Sequence, residues 1–173
     1  TVSFWIKTTD TAHYSGYAGT PQVPVFGGDG SAWFHLSFGV DAGRAACRQY
    51  WEYNDGGWVV GWQDIAGDVS VADGLGHYLT FVCHAGTDTV DIYVDGAPDV
   101  LGVSQNPNRK TYAFSYIGRS QGNHYANMVL DDVRIYDTAL SQTEIQKQIM
   151  GIPEPSALAV LGLSGLLALR RRR

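Results

Sequence analysis

The 173-residue sequence has little of what acid–base catalysis needs, because it contains only three glutamates. A retaining glycosidase requires two carboxyl groups about 5 Å apart, and acids that share one face of a strand lie two residues apart. Glu52 has Tyr50 and Asn54 at that spacing, so no alternating acid pair is present. No Ser-His-Asp or Cys-His spacing indicates another hydrolase. The sequence therefore predicts a non-enzymatic protein.

Positive charge is also scarce in most of the sequence. The whole chain has 12 basic and 17 acidic residues, of which four arginines and one glutamate follow position 150. Residues 1–150 therefore hold eight basic and 16 acidic residues, a net charge of −8. A surface of this sign repels phosphate backbones, so we expect no nucleic-acid partner.

Cysteine is limited to Cys47 and Cys83. Export to an oxidising compartment would favour a disulfide between them, and both fall in predicted strands. In the chain-entropy treatment, a bridge closing a loop of this length stabilises the fold by roughly 4 kcal/mol. Two unrelated buried thiols are the alternative. The five histidines show no paired metal-ligand spacing.

An initiator methionine and a signal peptide are both missing, and the sequence starts inside an alternating pattern, TVSFWIK. In this pattern Val2, Phe4 and Ile6 occupy one face of a strand. We therefore expect a fragment that has lost an export leader and an opening strand.

Long hydrophobic runs are missing apart from SALAVLGLSGLLAL, residues 156–169. As a helix this run would reach ~21 Å, short of the ~30 Å hydrocarbon core. Four terminal arginines cannot be buried and would stay on the cytoplasmic side, while Pro153 and Pro155 keep the junction extended. These features favour a signal-like segment. A C-terminal amphipathic or core helix is the alternative, and the lack of a polar face disfavours it.

The C-terminal layout resembles the PEP-CTERM sorting signal of Gram-negative bacteria. It consists of Pro153-Glu154-Pro155, the apolar run, and then Arg170, Arg171, Arg172 and Arg173. In that family the signal is recognised by exosortase, a membrane-embedded cysteine protease-like enzyme, and the protein passes to the cell surface or extracellular matrix. The resemblance implies a sorting segment over 151–173 with a short transmembrane-like helix. It also implies an exported protein that is transiently anchored in the inner membrane.

Alternating hydrophobicity and turn signals dominate residues 1–150 and predict an all-β fold, an antiparallel two-sheet jelly-roll sandwich. The predicted turns include Asp41-Ala42-Gly43, Asn54–Gly57 and Asp95-Gly96. A short helix is predicted to begin with the capping box from Ser141 to Glu144 and to end at Gly151, packing one apolar stripe on the sandwich. After the first strand, the predicted strands are 24–27, 32–40, 45–53, 58–63, 77–84, 90–94, 112–117 and 129–136.

Residues 1–150 resemble the laminin-G-like jelly-roll domains of the concanavalin A-like lectin/glucanase superfamily. TVSFWIKT at positions 1–8 is similar to the family's second strand, and the segment from His77 to Gly96 is similar to a hairpin. YIGR at 116–119, LDDVRIY at 130–136 and ALSQTEI at 139–145 are similar to the closing strands and terminal helix. One departure is Gly76, where the family commonly has tryptophan.

The resemblance makes a structural Ca²⁺ a candidate cofactor, with Asp131 as its ligand. Alternation places Asp131 on one face with Val129, Val133 and Ile135, where an unpaired carboxylate would be costly. Either a cation, which would take further oxygen ligands from the missing opening segment, or backbone N–H groups would satisfy it.

Aromatic residues cluster over positions 50–62 and could stack on sugar rings. Alternation puts Trp51 and Tyr53 on one face, so packing of part of this stretch in the core is the competing interpretation. Because binding residues favour loops, the candidate ligand-binding residues are those beside the predicted turn: Asn54, Asp55, Trp58 and Trp62.

These features predict a surface or matrix protein that binds a glycan or a protein through a lectin-like module. Two other functions are left open. One is a glycan-cleaving relative, or an accessory module of one, and the other is a purely structural matrix component.

Overall fold

The computed structural model describes residues 1–11, 23–28, 37–108, 114–120 and 124–151. Within these ranges, only the backbone is described for residues 23–28, 50–53, 60, 114–115, 119–120 and 124. The strands are β1 (Val2–Lys7), β2 (Val23–Gly28), β3 (Ser37–Asp41), β4 (Arg44–Asn54), β5 (Trp58–Ser70), β6 (Gly76–His84), β7 (Thr89–Val94), β8 (Ala97–Ser104), β9 (Phe114–Ile117), β10 (Arg119–Ser120), β11 (His124–Tyr125) and β12 (Val129–Ile135), and the helix is α1 (Gln142–Met150).

Two antiparallel five-stranded sheets form the body of the structure. Sheet A has the strand order β12-β1-β6-β7-β8, and sheet B has the order β5-β4-β3-β2-β9. A short β10–β11 pair connects β9 to β12. The predicted two-sheet antiparallel sandwich is thus confirmed, whereas the apolar tail run lies outside the described residues.

The core lies between the two sheets, and in β1, β6 and β7 it is built from every second residue. Phe4 and Phe81 from sheet A stack with ring centroids 5.9 Å apart. The Phe81 ring also contacts Phe38 of sheet B, at 5.1 Å between centroids. All three side chains are buried, so Phe81 joins the inner faces of the two sheets. The alternation in TVSFWIK predicts the inward face of β1 correctly, since Val2, Phe4 and Ile6 are all buried.

Helix α1 covers part of the outer face of sheet A. Its Ile145, 1% exposed, packs with Val82 and Tyr93, which alternate with the core-facing residues of β6 and β7. The predicted capping box is present: the Ser141 hydroxyl accepts from the Glu144 N–H, and the Glu144 carboxylate accepts from the Ser141 N–H at 2.8 Å. The predicted helix and its packing on the sandwich are confirmed.

Two tight turns have the backbone that their sequences indicate. In the β7–β8 hairpin, Asp95 and Gly96 have φ values of 53° and 75°. Ala42 and Gly43, between β3 and β4, have φ values of 48° and 77°. Positive φ at both central residues is the geometry of the type I′ turn, whose twist matches that of two-residue hairpins.

The side chain of Trp5 covers Gly76. A Cβ on Gly76 would lie 2.2 Å from Cζ2 of Trp5, because β1 and β6 are paired and the indole ring extends over the start of β6. The Trp5 indole therefore fills the space that a side chain at position 76 would need.

Apart from the two-residue strands β10 and β11, which were not predicted, two strands need correction. The strand predicted over 58–63 continues to Ser70, and β8 was not predicted at all. Both strands lie at sheet edges, and both contain polar or glycine residues that weaken an alternation signal. The predicted segments 32–36 and 112–113 lie outside the described residues.

Candidate functional site

The longest hairpin in the described part of the chain carries the predicted ligand-binding residues. Strands β4 and β5 pair from Ala46 opposite Ala66 to Asn54 opposite Trp58. Residues 54–59, at the end of this hairpin, are all exposed. Gly56 has φ +70° and has no atom near the position of a Cβ, so the turn stands free of the sandwich.

Trp58 and Trp62 lie on the same face of β5. Side chains alternate along a strand, and Ile65 is buried in the core, so positions 58, 62 and 64 face outward. Trp58 is 75% exposed and Trp62 is 43% exposed. Four residues of strand separate them by about 13 Å. Two large aromatic side chains thus stand along the outer face of sheet B.

An ion pair completes this surface toward the body of the sandwich. Arg48 and Asp64 are directly opposite each other in β4 and β5. The Arg48 guanidinium donates from Nε and Nη2 to the two carboxylate oxygens of Asp64. The Arg48 side chain is 8% exposed, whereas that of Asp64 is 51% exposed. We call Trp58, Trp62, Asp64 and Arg48 the aromatic face.

The structure brings together the candidate residues predicted from the sequence. Asn54 pairs with Trp58, and Asn54 and Asp55 are exposed at the same hairpin end. Whether they bind a ligand stays a prediction. The side chains of residues 50–53, including Trp51 and Tyr53, lie outside the described set.

The Arg48–Asp64 pair was missed in the sequence. Its signal was available, because the Asn54–Gly57 turn fixes the register of the hairpin and so sets positions 48 and 64 opposite each other. The pair was not found because the predicted strand ended at residue 63, one residue before Asp64.

Asp131 does not lie where the sequence predicts. Residues 3 and 5 of β1 face residues 134 and 131 of β12, so β12 carries one extra residue between them. This is a β-bulge, and Asp132 has φ +49° there. The bulge separates Asp131, which is exposed and opposite Trp5, from Val133, which packs on the core.

This geometry removes the burial argument for a cation at Asp131, and a calcium site there stays a prediction. The Asp131 carboxylate is exposed and its Oδ1 accepts from the Asp132 N–H at 2.7 Å. Burial therefore creates no need for a cation. Within the described ranges, no group of three or more His, Cys, Asp or Glu side chains could hold a metal ion.

A groove lies at one end of sheet A. It has a volume of about 370 Å³. It lies where β1 ends and β12 begins, so it is separate from the aromatic face. Its lining residues are Lys7, Thr8, Thr9, Gly74, Asn127, Met128 and Val129.

The two cysteines project into the same core from different sheets. Cys47 is on β4 and Cys83 is on β6, and both pack in the inter-sheet cluster. The structure contains no disulfide between them. Burial, the charge of Cys83 and that of Asp64 all raise the pKa of Cys47.

His77 is held between two carboxylates. Its Nδ1 is 2.8 Å from Asp95 Oδ2, and its Nε2 is 3.1 Å from Asp73 Oδ1. Partial burial lowers the pKa of His77, but the hydrogen bonds and charges of Asp95 and Asp73 outweigh it, and the net pKa is raised. The imidazolium joins the start of β6 to the β7–β8 turn.

The sorting-signal residues, Pro153 to Pro155 and Arg170 to Arg173, lie outside the described residues. Among the described residues, no helix has the length and hydrophobicity that a membrane span requires.

Two facing antiparallel sheets with one covering helix define the class of this protein as a jelly-roll β-sandwich. The chain belongs to the Laminin_G_3 family of the concanavalin A-like lectin/glucanases superfamily, whose profile matches residues 1–146. Among curated proteins, none matches this sequence.

Solved structures share this fold at low sequence identity. The receptor-binding domain of botulinum neurotoxin mosaic serotype C/D has 13% identity and a TM-score of 0.54, covering 88% of this chain and 36% of that one. Botulinum neurotoxin type C has 14% identity and a TM-score of 0.53, covering 86% and 34%. Domains LG4-5 of the mouse laminin α1 chain have 10% identity and a TM-score of 0.49, covering 82% and 36%. This chain thus spans about a third of each solved chain.

Proposed function

We propose that this protein is a non-enzymatic binding module that binds a glycan on its aromatic face. The observation that carries the proposal is the exposure of Trp58 and Trp62 on one outer face of β5. Exposed aromatic rings stack on the apolar faces of sugars and bury large areas for little loss of side-chain freedom.

Two observations support the binding role: the family match, and the binding functions of some structurally similar proteins. Cell entry of botulinum neurotoxin type C depends on two ganglioside molecules. That property belongs to the toxin, whose sequence is 14% identical to this one. It makes a glycan the first class of ligand to test, because fold alone does not determine function.

A glycan array probed with the full chain tests the proposal. We expect the wild type to bind at least one glycan, and Trp58→Ala and Trp62→Ala to weaken that binding. Tyr125→Ala is the matched control, because Tyr125 is 63% exposed but belongs to the β10–β11 pair. Array signals unchanged in both tryptophan variants would contradict the proposal.

We also propose that residues 151–173 direct this module to the cell surface or extracellular matrix through an exosortase-type system. The support is the order of Pro153-Glu154-Pro155, the uncharged run and the arginines. A boundary near residue 150 is supported by the end of α1 at Met150 and by the family match, which ends at residue 146.

Removing Ser156–Arg173 tests this sorting role in a Gram-negative host that has an exosortase. We expect the truncated protein to be released, where the full chain passes through the membrane fraction. Replacing only Pro153 and Pro155 by alanine separates recognition from membrane association. Identical fractionation of the truncated and full chains would contradict the sorting role.

A further inference from the structure

The aromatic face is longer than one sugar unit. Positions 58, 62 and 64 extend over about 20 Å of strand. The two tryptophans are about 13 Å apart along β5, which is more than one pyranose ring can bridge. A ligand that contacts both rings must therefore have several sugar units in a row.

The aromatic face is also open at its outer end. Residues 54–59 are all exposed, and the 370 Å³ groove lies elsewhere, at the Lys7 end of β1. Recognition of a chain terminus needs groups that enclose it, as in a concave pocket. An open strip instead allows a polymer to continue past its outer end.

The charges on this face disfavour an acidic ligand. Arg48 donates to both oxygens of Asp64, so its charge is already compensated. The next described cation on the same face of β4, Arg44, is four residues further from the tryptophans, about 13 Å along the strand. Asp64 is half exposed, and Asp55 is exposed. A uronate or sialate here would meet the exposed Asp55 carboxylate and an arginine that is already paired, whereas sugar hydroxyls can donate to both carboxylates.

On the basis of the proposed function, we infer that the aromatic face binds an internal stretch of a neutral, linear polysaccharide lying along β5. Trp58 and Trp62 stack on separate sugar units of one chain, and Asp64 accepts a hydroxyl hydrogen bond from a unit beyond Trp62.

Titration calorimetry of the full chain tests this inference. The neutral probes are β-1,4-linked oligosaccharides of glucose, mannose and xylose, from the monosaccharide to the hexasaccharide. The acidic probes are alginate oligosaccharides of matched length. We expect affinity in at least one neutral series to rise with length until the ligand spans both rings. The matched alginate is expected to bind at least roughly tenfold more weakly, as a lost or unfavourable polar contact predicts.

The variants identify the face that binds. We expect Trp58→Ala and Trp62→Ala each to lower hexasaccharide affinity by roughly tenfold and to flatten the dependence on length, with Tyr125→Ala unchanged. Equal affinity for monosaccharide and hexasaccharide, tighter binding of alginate, or tryptophan-dependent binding only to branched or acidic glycans would overturn this inference and leave the proposed function standing. Binding to no glycan at all would overturn the proposed function itself.

Discussion

The carboxylate of Asp99 lies directly against the backbone of Gly67. A Cβ on Gly67 would be only 1.8 Å from Asp99 Oδ2. The other oxygen, Oδ1, accepts from the N–H groups of Asp68 and Val69 at 2.9 and 3.1 Å. Because β8 is an edge of sheet A and β5 an edge of sheet B, one side chain joins the two sheets along this side of the sandwich.

Gly67→Ala is expected to destabilise the protein by about 1–3 kcal/mol, the usual cost of adding a methyl group to a packed site. The new methyl displaces Asp99 and removes its two hydrogen bonds to β5. Gly86→Ala is the matched control, since no atom lies within 4 Å of a Cβ there. Urea unfolding of the two variants checks the difference, and equal midpoints would contradict the contact.

The His77 clamp predicts a pH dependence of stability. A histidine whose pKa is raised by folding contributes stability that is complete below its unfolded pKa, near 6.5. That contribution is lost as pH rises through the higher folded pKa. We therefore expect the melting temperature of the wild type to fall more than that of His77→Gln as the pH is raised from about 6 to about 8.5.

Asp73→Asn is the partner variant for this clamp, because it removes one of the two carboxylates and leaves Asp95 in place. Its pH dependence should fall between those of the wild type and His77→Gln. Parallel melting curves for all three proteins across this range would show that the imidazolium contributes nothing.

The capping box predicts a local effect at helix α1. Ser141→Ala removes the hydroxyl that accepts from the Glu144 N–H, and N-cap losses of this kind cost about 1 kcal/mol. Thr143→Ala, an exposed position in the same turn, should change stability by less than about 0.5 kcal/mol. Hydrogen exchange of the α1 amides measures the effect, and equal exchange in both variants would argue against the cap.

Cys47 is expected to be inert in the folded protein, because burial raises its pKa and suppresses the reactive thiolate. In a Cys83→Ser variant, the remaining thiol should react with a disulfide reagent only after unfolding in urea. Rapid reaction of the native variant would contradict its burial.

Intact mass tests the predicted disulfide between Cys47 and Cys83. Intact mass of the wild type after exposure to a glutathione redox buffer, with and without later reduction, distinguishes a Cys47–Cys83 bridge from two thiols. Purely reduced protein under oxidising conditions would leave two independent buried thiols as the correct interpretation.

The sequence predicted the structure best where a strand face, a turn or a helix cap depends only on a few neighbouring residues. Alternation over Val2, Phe4 and Ile6 identifies a core-facing strand because the opposite face carries different chemistry. The Asp95-Gly96 turn and the Ser141–Glu144 cap were also predicted correctly, because each depends on backbone preferences within four residues.

The errors arose where a local rule was interrupted or where two distant segments meet. One inserted residue at Asp132 interrupts the alternation of β12 and separates Asp131 from Val133, whereas Val129 stays on the side of Asp131. The contact of Gly67 with Asp99 joins strands about thirty residues apart. Only the three-dimensional arrangement of the two sheets brings them together, and no periodicity records it.

Helix α1 packs on Val82 and Tyr93, on the outer side of sheet A, while Trp58 and Trp62 stand on the outer side of sheet B. The polypeptide therefore departs at Gly151 from the side of the domain that faces away from its tryptophans. Under the proposed sorting role, a tether attached after Gly151 would therefore start on the side of the domain opposite the tryptophans.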